Sequence, residues 1–99
     1  MVEIRWTSQA INGLDSIAEY IAFDSPQHAT LFVIDIMESV ERLHQFPQAG
    51  RVVPEFNSPE LREIIFGSYR IVYRLKSPLV EILTVHHGSR LLDEKEMDA

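Results

Sequence analysis

Six side chains in the second half of the chain are the ones best suited to chemistry: Arg62, Arg70, Arg74, His86, His87 and Arg90. A guanidinium binds phosphate or carboxylate oxygens two at a time and keeps its charge at any working pH. An imidazole beside it can give or take a proton near neutrality. Arg70, Val72 and Arg74 alternate with Tyr69, Ile71, Tyr73 and Leu75, so on an extended strand the arginines share one side and the large apolar residues the other. His86 and His87 are adjacent and point to opposite sides, so at most one of them reaches a groove shared with the arginines. Each residue also has a plainer reading. Arg70 suits a strand arginine paired with Glu63 or Glu81, the histidine a hydrogen-bonded strand end, and the arginines together a solvated sheet face diluted by Glu63 and Glu81. Cysteine is absent, and His28 and His44 lie far apart without acidic ligand spacing, so no metal site and no cofactor is expected.

The elements that must position these groups are legible from hydrophobic period. Val2 to Trp6 alternates apolar and charged residues, the pattern of a short edge strand. Thr7 or Ser8 can cap a helix in which Ile11, Leu14, Ile17, Ala18 and Tyr20-Ile21 recur at helical spacing to about Phe23. Gly13 inside it costs about 1 kcal/mol against alanine, which points to close packing against a neighbour. Ser25-Pro26 stops this helix and starts another, since serine caps well and proline at the first position loses no hydrogen bond. The second helix carries Ala29, Phe32, Val33, Ile36, Met37, Val40 and Leu43 on one stripe and should end near Phe46, before Pro47 and Gly50. The period then changes to two. Val52-Val53, Leu61 to Phe66, Tyr69 to Leu75 and Leu79 to His87 read as strands separated by turns. The expected fold is α+β: a short N-terminal strand, a two-helix antiparallel hairpin and a three- to four-stranded antiparallel sheet packed on the helices. Tyr69, Ile71, Tyr73 and Leu75 should meet the helices, leaving Arg70 and Arg74 facing an open groove.

At 99 residues the chain suits one domain, expected over 1–92, followed by an acidic tail at 93–99 expected to be flexible. Net charge is −6, which argues against a nucleic-acid binder held by bulk electrostatics. Its distribution is uneven: residues 1–50 carry −5, residues 51–92 carry +2 and the tail −3. A mildly cationic second half is thus joined to an acidic first half. The N-terminus lacks a signal-peptide pattern and no apolar run approaches the ~20 residues of a membrane span, so a cytoplasmic protein without membrane attachment is expected.

The segment Tyr69-Arg70-Ile71-Val72-Tyr73-Arg74, followed after a turn by Val80 to Arg90, resembles the RelE/ParE toxin superfamily. The likeness spans nearly the whole chain. Asp24-Ser25-Pro26 with Ala29 and Phe32 resembles the family's corner between helices. Leu43, Phe46-Pro47 and Ala49-Gly50-Arg51 resemble the end of its second helix, and Leu61-Arg62-Glu63 the entry to its sheet. The resemblance implies the toxin of a type II toxin–antitoxin pair, of the kind that stabilises plasmids, bound by a cognate antitoxin. A homodimer or a toxin–antitoxin heterotetramer would be its assembly. RelE-like members cut messenger RNA on the ribosome, whereas ParE-like members poison DNA gyrase.

Three departures separate this sequence from the RNA-cleaving pattern. Only Arg70 matches a RelE catalytic arginine. Leu61 and Glu63 stand where RelE-like chains place lysines, and Leu91-Leu92-Asp93-Glu94 occupies the place of a late tyrosine. His87-Gly88-Ser89-Arg90 looks more like the end of a ParE-like chain. The resemblance therefore implies a gyrase inhibitor rather than an enzyme, with Arg62, Arg70, Arg74, His87 and Arg90 as target or antitoxin surface. The alternatives are a ribosome-dependent endoribonuclease using Arg70, one of His86 and His87, Arg62 and Arg90, or an inactive co-repressor that only binds its antitoxin. Surplus apolar residues such as Phe23, Leu31 and Ile34 would suit an antitoxin-covered groove or a dimer contact.

Overall fold

The computed structural model describes residues 1–92; the acidic tail expected to be flexible lies outside the described residues. Strand β1 (Glu3–Trp6) leads into helix α1 (Ser8–Asp24) and helix α2 (Pro26–Glu41). Strands β2 (Arg51–Val52), β3 (Leu61–Phe66), β4 (Tyr69–Lys76) and β5 (Leu79–His87) follow. The helix starts obey the capping chemistry read from the sequence. Thr7 Oγ1 accepts the Ala10 N–H at 3.2 Å, Ser25 Oγ accepts the His28 N–H at 3.2 Å, and Pro26 opens α2. Helix α2 stops earlier than its apolar stripe suggests. Residues Arg42–His44 tighten into a 3-10 turn, in which the Gln45 N–H donates to the Arg42 carbonyl. That turn holds the start of β1: the Val2 N–H donates to the His44 carbonyl, and His44 Nδ1 lies 2.7 Å from the Val2 carbonyl oxygen.

The sheet order is β1-β5-β4-β3-β2, with β2 to β5 antiparallel and β1 parallel to β5. The expected α+β architecture is present, and the N-terminal strand completes a five-stranded sheet. Its parallel pairing, Glu3 against Leu79 through Trp6 against Ile82, joins segments 76 residues apart, so no local pattern announces it. Arg5 and Glu81, opposite one another in this register, form an ion pair.

One face of the sheet buries the helices as the alternation predicts. Ala10, Leu14, Phe32, Ile36, Val40 and Leu43 pack on Ile71, Tyr73, Val80, Ile82 and Val85. Each leucine, isoleucine or valine among them, fully buried, contributes about 1.5–3 kcal/mol. The opposite face corrects the expectation of an open groove, because Val53, Leu61, Val72, Leu83 and Leu92 form a second core there with Phe56 against it. A β-bulge at Val72/Tyr73 changes the register, so that Val72 faces Thr84 while Tyr73 faces Ile82. Leu83, the residue passed over, fills the second core.

Gly13 is required by close packing. A Cβ built there would lie 2.5 Å from the Val85 carbonyl oxygen, a backbone atom that cannot swing aside. Alanine would add about 1 kcal/mol of helix propensity yet force α1 off β5, an overpacking cost of about 1–3 kcal/mol. Gly13→Ala is expected to lower the urea midpoint with an unchanged slope in equilibrium unfolding; a midpoint at or above that of the parent would refute the contact.

Candidate functional site

Arg70 lies on β4 between Ile65 of β3 and His86 of β5, on the face away from the helices. The antiparallel register sets Glu63 opposite Val72, which brings its carboxylate diagonally to Arg70. Arg70 Nε donates to Glu63 Oε1 at 2.6 Å, and Nη1 and Nη2 donate to Glu55 Oε2 and Oε1 at 2.6 and 2.8 Å. The second Glu63 oxygen accepts from Arg51 Nε at 2.6 Å. Two arginines and two carboxylates therefore form one chain of charge-assisted hydrogen bonds, with the Glu63 side chain fully buried and Arg70 only 5% exposed. The clasp also holds the end of the described chain. The Leu92 N–H donates to Glu55 Oε2 at 3.1 Å, and Arg70 Nη1 makes a long contact of 3.4 Å to the Arg90 carbonyl.

The protonation equilibria follow this geometry. The hydrogen bonds from Arg70 hold the Glu55 carboxyl down at about 2, against the opposing effect of burial. Glu55, burial notwithstanding, pushes the Arg70 guanidinium further toward its charged form. His86 is buried next to Arg70, and neither ring nitrogen has a hydrogen-bond partner among the described residues. Burial first, then the positive charges of Arg90 and Arg70, depress its pKa to about 4, so the ring is neutral at physiological pH.

The predicted site residues are only partly brought together. Arg70 and His87 line one groove of 620 Å3 with Arg51, Glu55, Ile65 and Ser89. Within it Arg70 does not stand open as expected, since its charge is engaged by two carboxylates. His87 is exposed at the end of β5, with Nδ1 2.7 Å from Ser89 Oγ and its ring edge-on to Tyr69. Arg62 faces the helix side with Tyr73, where Nε donates to the Pro59 carbonyl and Nη1 to the Gly50 carbonyl. Arg74 sits opposite Glu81 and Leu61 at the other end of the sheet, and Arg90 is exposed on the turn after β5. Of the two partners the sequence offered Arg70, Glu63 is the one used; Glu81 is held by Arg5. Glu55 and Arg51 were missed as site residues: Glu55 reaches Arg70 because the Pro54–Phe56 turn lies over the sheet, and Arg51 joins through Glu63, which stands opposite it in the β2–β3 register. Among the described residues no group of three acids or histidines could hold a metal ion, and no helix is long and apolar enough to cross a membrane.

Two helices on one face of a five-stranded sheet match the fold of ParE and RelE toxins. The family described as ParE toxin of type II toxin-antitoxin system, parDE, matches residues 4–92, and the chain belongs to that family. It is 38% identical over 87 residues to the protein Y4kP of Sinorhizobium fredii, covering 86% of each chain. It is 29% identical over 92 residues to Toxin RelE2 of Caulobacter vibrioides, covering 92% of this chain and all of that one. Among solved structures it is similar to a chain of the chromosomal ParDE system of P. aeruginosa, with TM-score 0.73, 28% identity and coverage of 88% and 96%. The fold also matches a chain of the RelBE2 toxin–antitoxin complex of Mycobacterium tuberculosis, with TM-score 0.58, 20% identity and coverage of 87% and 96%.

The clasp and the orphaned imidazole predict two separate acid steps. His86, whose pKa is depressed on folding, contributes stability that is full above about 6.5 and is lost as pH falls toward about 4. Glu55, also depressed, contributes stability that is full above about 4.5 and is lost as pH falls toward about 2. Thermal melts from pH 7.5 to 3 should show His86→Leu flattening the upper step, and Glu55→Gln losing about 3 kcal/mol at neutral pH by leaving Arg70 half-paired. Unchanged profiles in both variants would contradict the assignment.

Proposed function

We propose that this ParE-family toxin acts by binding and inhibiting DNA gyrase, and that a cognate antitoxin neutralises it. The observation that carries this reading is the clasp on Arg70. Stabilising a phosphate during RNA cleavage needs a guanidinium free to meet the developing charge. Here both terminal nitrogens of Arg70 are on Glu55, and Nε is on Glu63. The buried Glu63 stands where an RNA-cleaving relative places a cation, and His86 is enclosed and neutral. A surface that works by contact is favoured over one that works by proton transfer. His87, Arg90 and Leu91, exposed where β5 ends beside the 620 Å3 groove, make up the target surface in this reading, with Arg62 and Arg74 outside it.

The antitoxin reading rests on the outer side of the helical hairpin. Phe23, Leu31 and Ile34 are 87%, 56% and 46% exposed. A shallow apolar groove of 480 Å3 lined by Ala18, Ala22, Ala29, Val33 and Ile34 runs between the helices. Such a concentration of exposed apolar side chains suits a partner helix or strand.

Antitoxin-free protein is expected to inhibit supercoiling by purified gyrase while messenger RNA from induced cells stays intact in primer extension. Codon-linked cuts with unaffected gyrase would overturn this reading in favour of the nuclease. On the hairpin, Leu31→Asp is expected to leave toxicity in place and abolish rescue by the co-expressed neighbouring reading frame; full rescue would move the antitoxin elsewhere.

A further inference from the structure

Helix α1 carries an asparagine followed by a glycine, Asn12-Gly13, a pair whose covalent chemistry the functional readings above leave unused. The backbone nitrogen after an asparagine can attack that residue's own side-chain amide, and glycine, having no Cβ, leaves the approach open. The Gly13 nitrogen would give up its proton and bond to Asn12 Cγ, the bond from Cγ to the amide nitrogen would break, and ammonia would leave with the proton. Water then opens the five-membered imide. Cleavage on the side-chain branch gives aspartate. Cleavage on the main-chain branch gives isoaspartate, in which the backbone runs through the side-chain carbons and is one methylene longer.

The fold blocks the first step. Both residues lie inside α1 (Ser8–Asp24), where helical ψ holds the Gly13 nitrogen out of line with Asn12 Cγ. The helical ladder also commits the Gly13 N–H to the Gln9 carbonyl. Rotation of the Asn12–Gly13 peptide is hindered from outside as well, because Gly13 passes so near β5 that a Cβ would lie 2.5 Å from the Val85 carbonyl oxygen. Asn12 itself is exposed, so its protection comes from the backbone and not from enclosure of its side chain.

The neighbours decide what the reaction would do. Ala10 and Leu14 flank the pair one turn apart, at 0% and 6% exposure, and both belong to the core between the helices and the sheet. An extra methylene between them shifts the rise and phase of the helix, so the two cannot both reach their places while Gly13 meets Val85. Aspartate at the exposed position 12 leaves the backbone spacing as it was.

We infer that Asn12-Gly13 is a conformation-gated modification site, inert in the folded toxin and converted once α1 leaves β5, and that the isoaspartate product bars the chain from refolding. Unfolding that lasts long enough thereby becomes permanent. The site concerns the lifetime of the chain and is independent of gyrase and of the antitoxin.

The test incubates the full chain in parallel in buffer and in urea above its unfolding midpoint, at one mildly alkaline pH, and follows the gain of one mass unit at Asn12 by peptide mapping. A folded domain leaves about one chain in a thousand or fewer open, so conversion in buffer should be about a hundredfold slower or more. Comparable rates, or no conversion in urea, would overturn the gating. The aged chain is then diluted from urea and its native and non-native pools are separated by size exclusion. Isoaspartate, detected by enzymatic methylation, should be depleted in the native pool at least about fivefold relative to aspartate at the same position, as a misfit in a packed core requires. Equal ratios in the two pools would remove the barrier to refolding. Asn12→Gln, whose longer side chain closes the ring far more slowly, should keep its refolding yield through the same incubation. Freshly made Asn12→Asp should refold as the parent does, which ties the loss to the lengthened backbone and not to the added charge. A yield that falls as fast in Asn12→Gln, or an Asn12→Asp chain that does not refold, would end the proposal.

Discussion

The clasp of Arg70 between Glu55 and Glu63 holds together parts of the chain that have no other strong reason to meet. It joins β4 to β3, pins the turn before β3 onto the sheet, and through Glu55 fastens the backbone at Leu92. Burying the charges of Arg70 and Glu63 is costly, and the arrangement is tolerable because each carboxylate oxygen has a donor and the pairing with Glu55 is bidentate. The apolar half of the same face depends on it in turn. Phe56 and Leu92 close the second core over Val72 and Leu83 because residues beside them are held by the clasp.

This use of Arg70 commits its charge to the chain's own carboxylates. A guanidinium saturated by carboxylates is a structural group, so Arg70 lines the groove beside it with its charge already engaged. What remains available lies at the margins: the helical hairpin with its exposed apolar residues, the end of β5, and the edge of β3 at Ile65. All three carry side chains open to solvent among the described residues. The acidic helices and the arginine-bearing strands also give these surfaces different electrostatic character, so they suit different partners.

Much of the fold was legible because its signals are local. Thr7 and Ser25 cap helices within three residues of themselves, Pro26 marks a start, and the stripe from Ala29 to Val40 repeats at helical spacing. The alternation of Tyr69, Ile71 and Tyr73 correctly named the face of β4 that meets the helices. The end of α2 was harder to place, because apolar period continues through Leu43 while the backbone has already tightened. Gly13 carried a true signal of close approach, although which atom it meets, the Val85 carbonyl, lies across the molecule.

The sequence by itself determined the elements, their order, the helix-facing side of the sheet and the family to which the chain belongs, since each is set by neighbours within a few positions or by a pattern spread along the chain. Only the tertiary structure decided what the second face became. Whether Arg70 stays open or is enclosed depends on where the Pro54–Phe56 turn comes to rest, and on a bulge that places Leu83 beside Val72. Parallel pairing of β1 with β5 and the hydrogen bond from the Gly50 N–H to the Tyr73 hydroxyl are likewise long-range outcomes. Charge and hydrophobicity name the groups that can interact; the register and the packing choose which of them do.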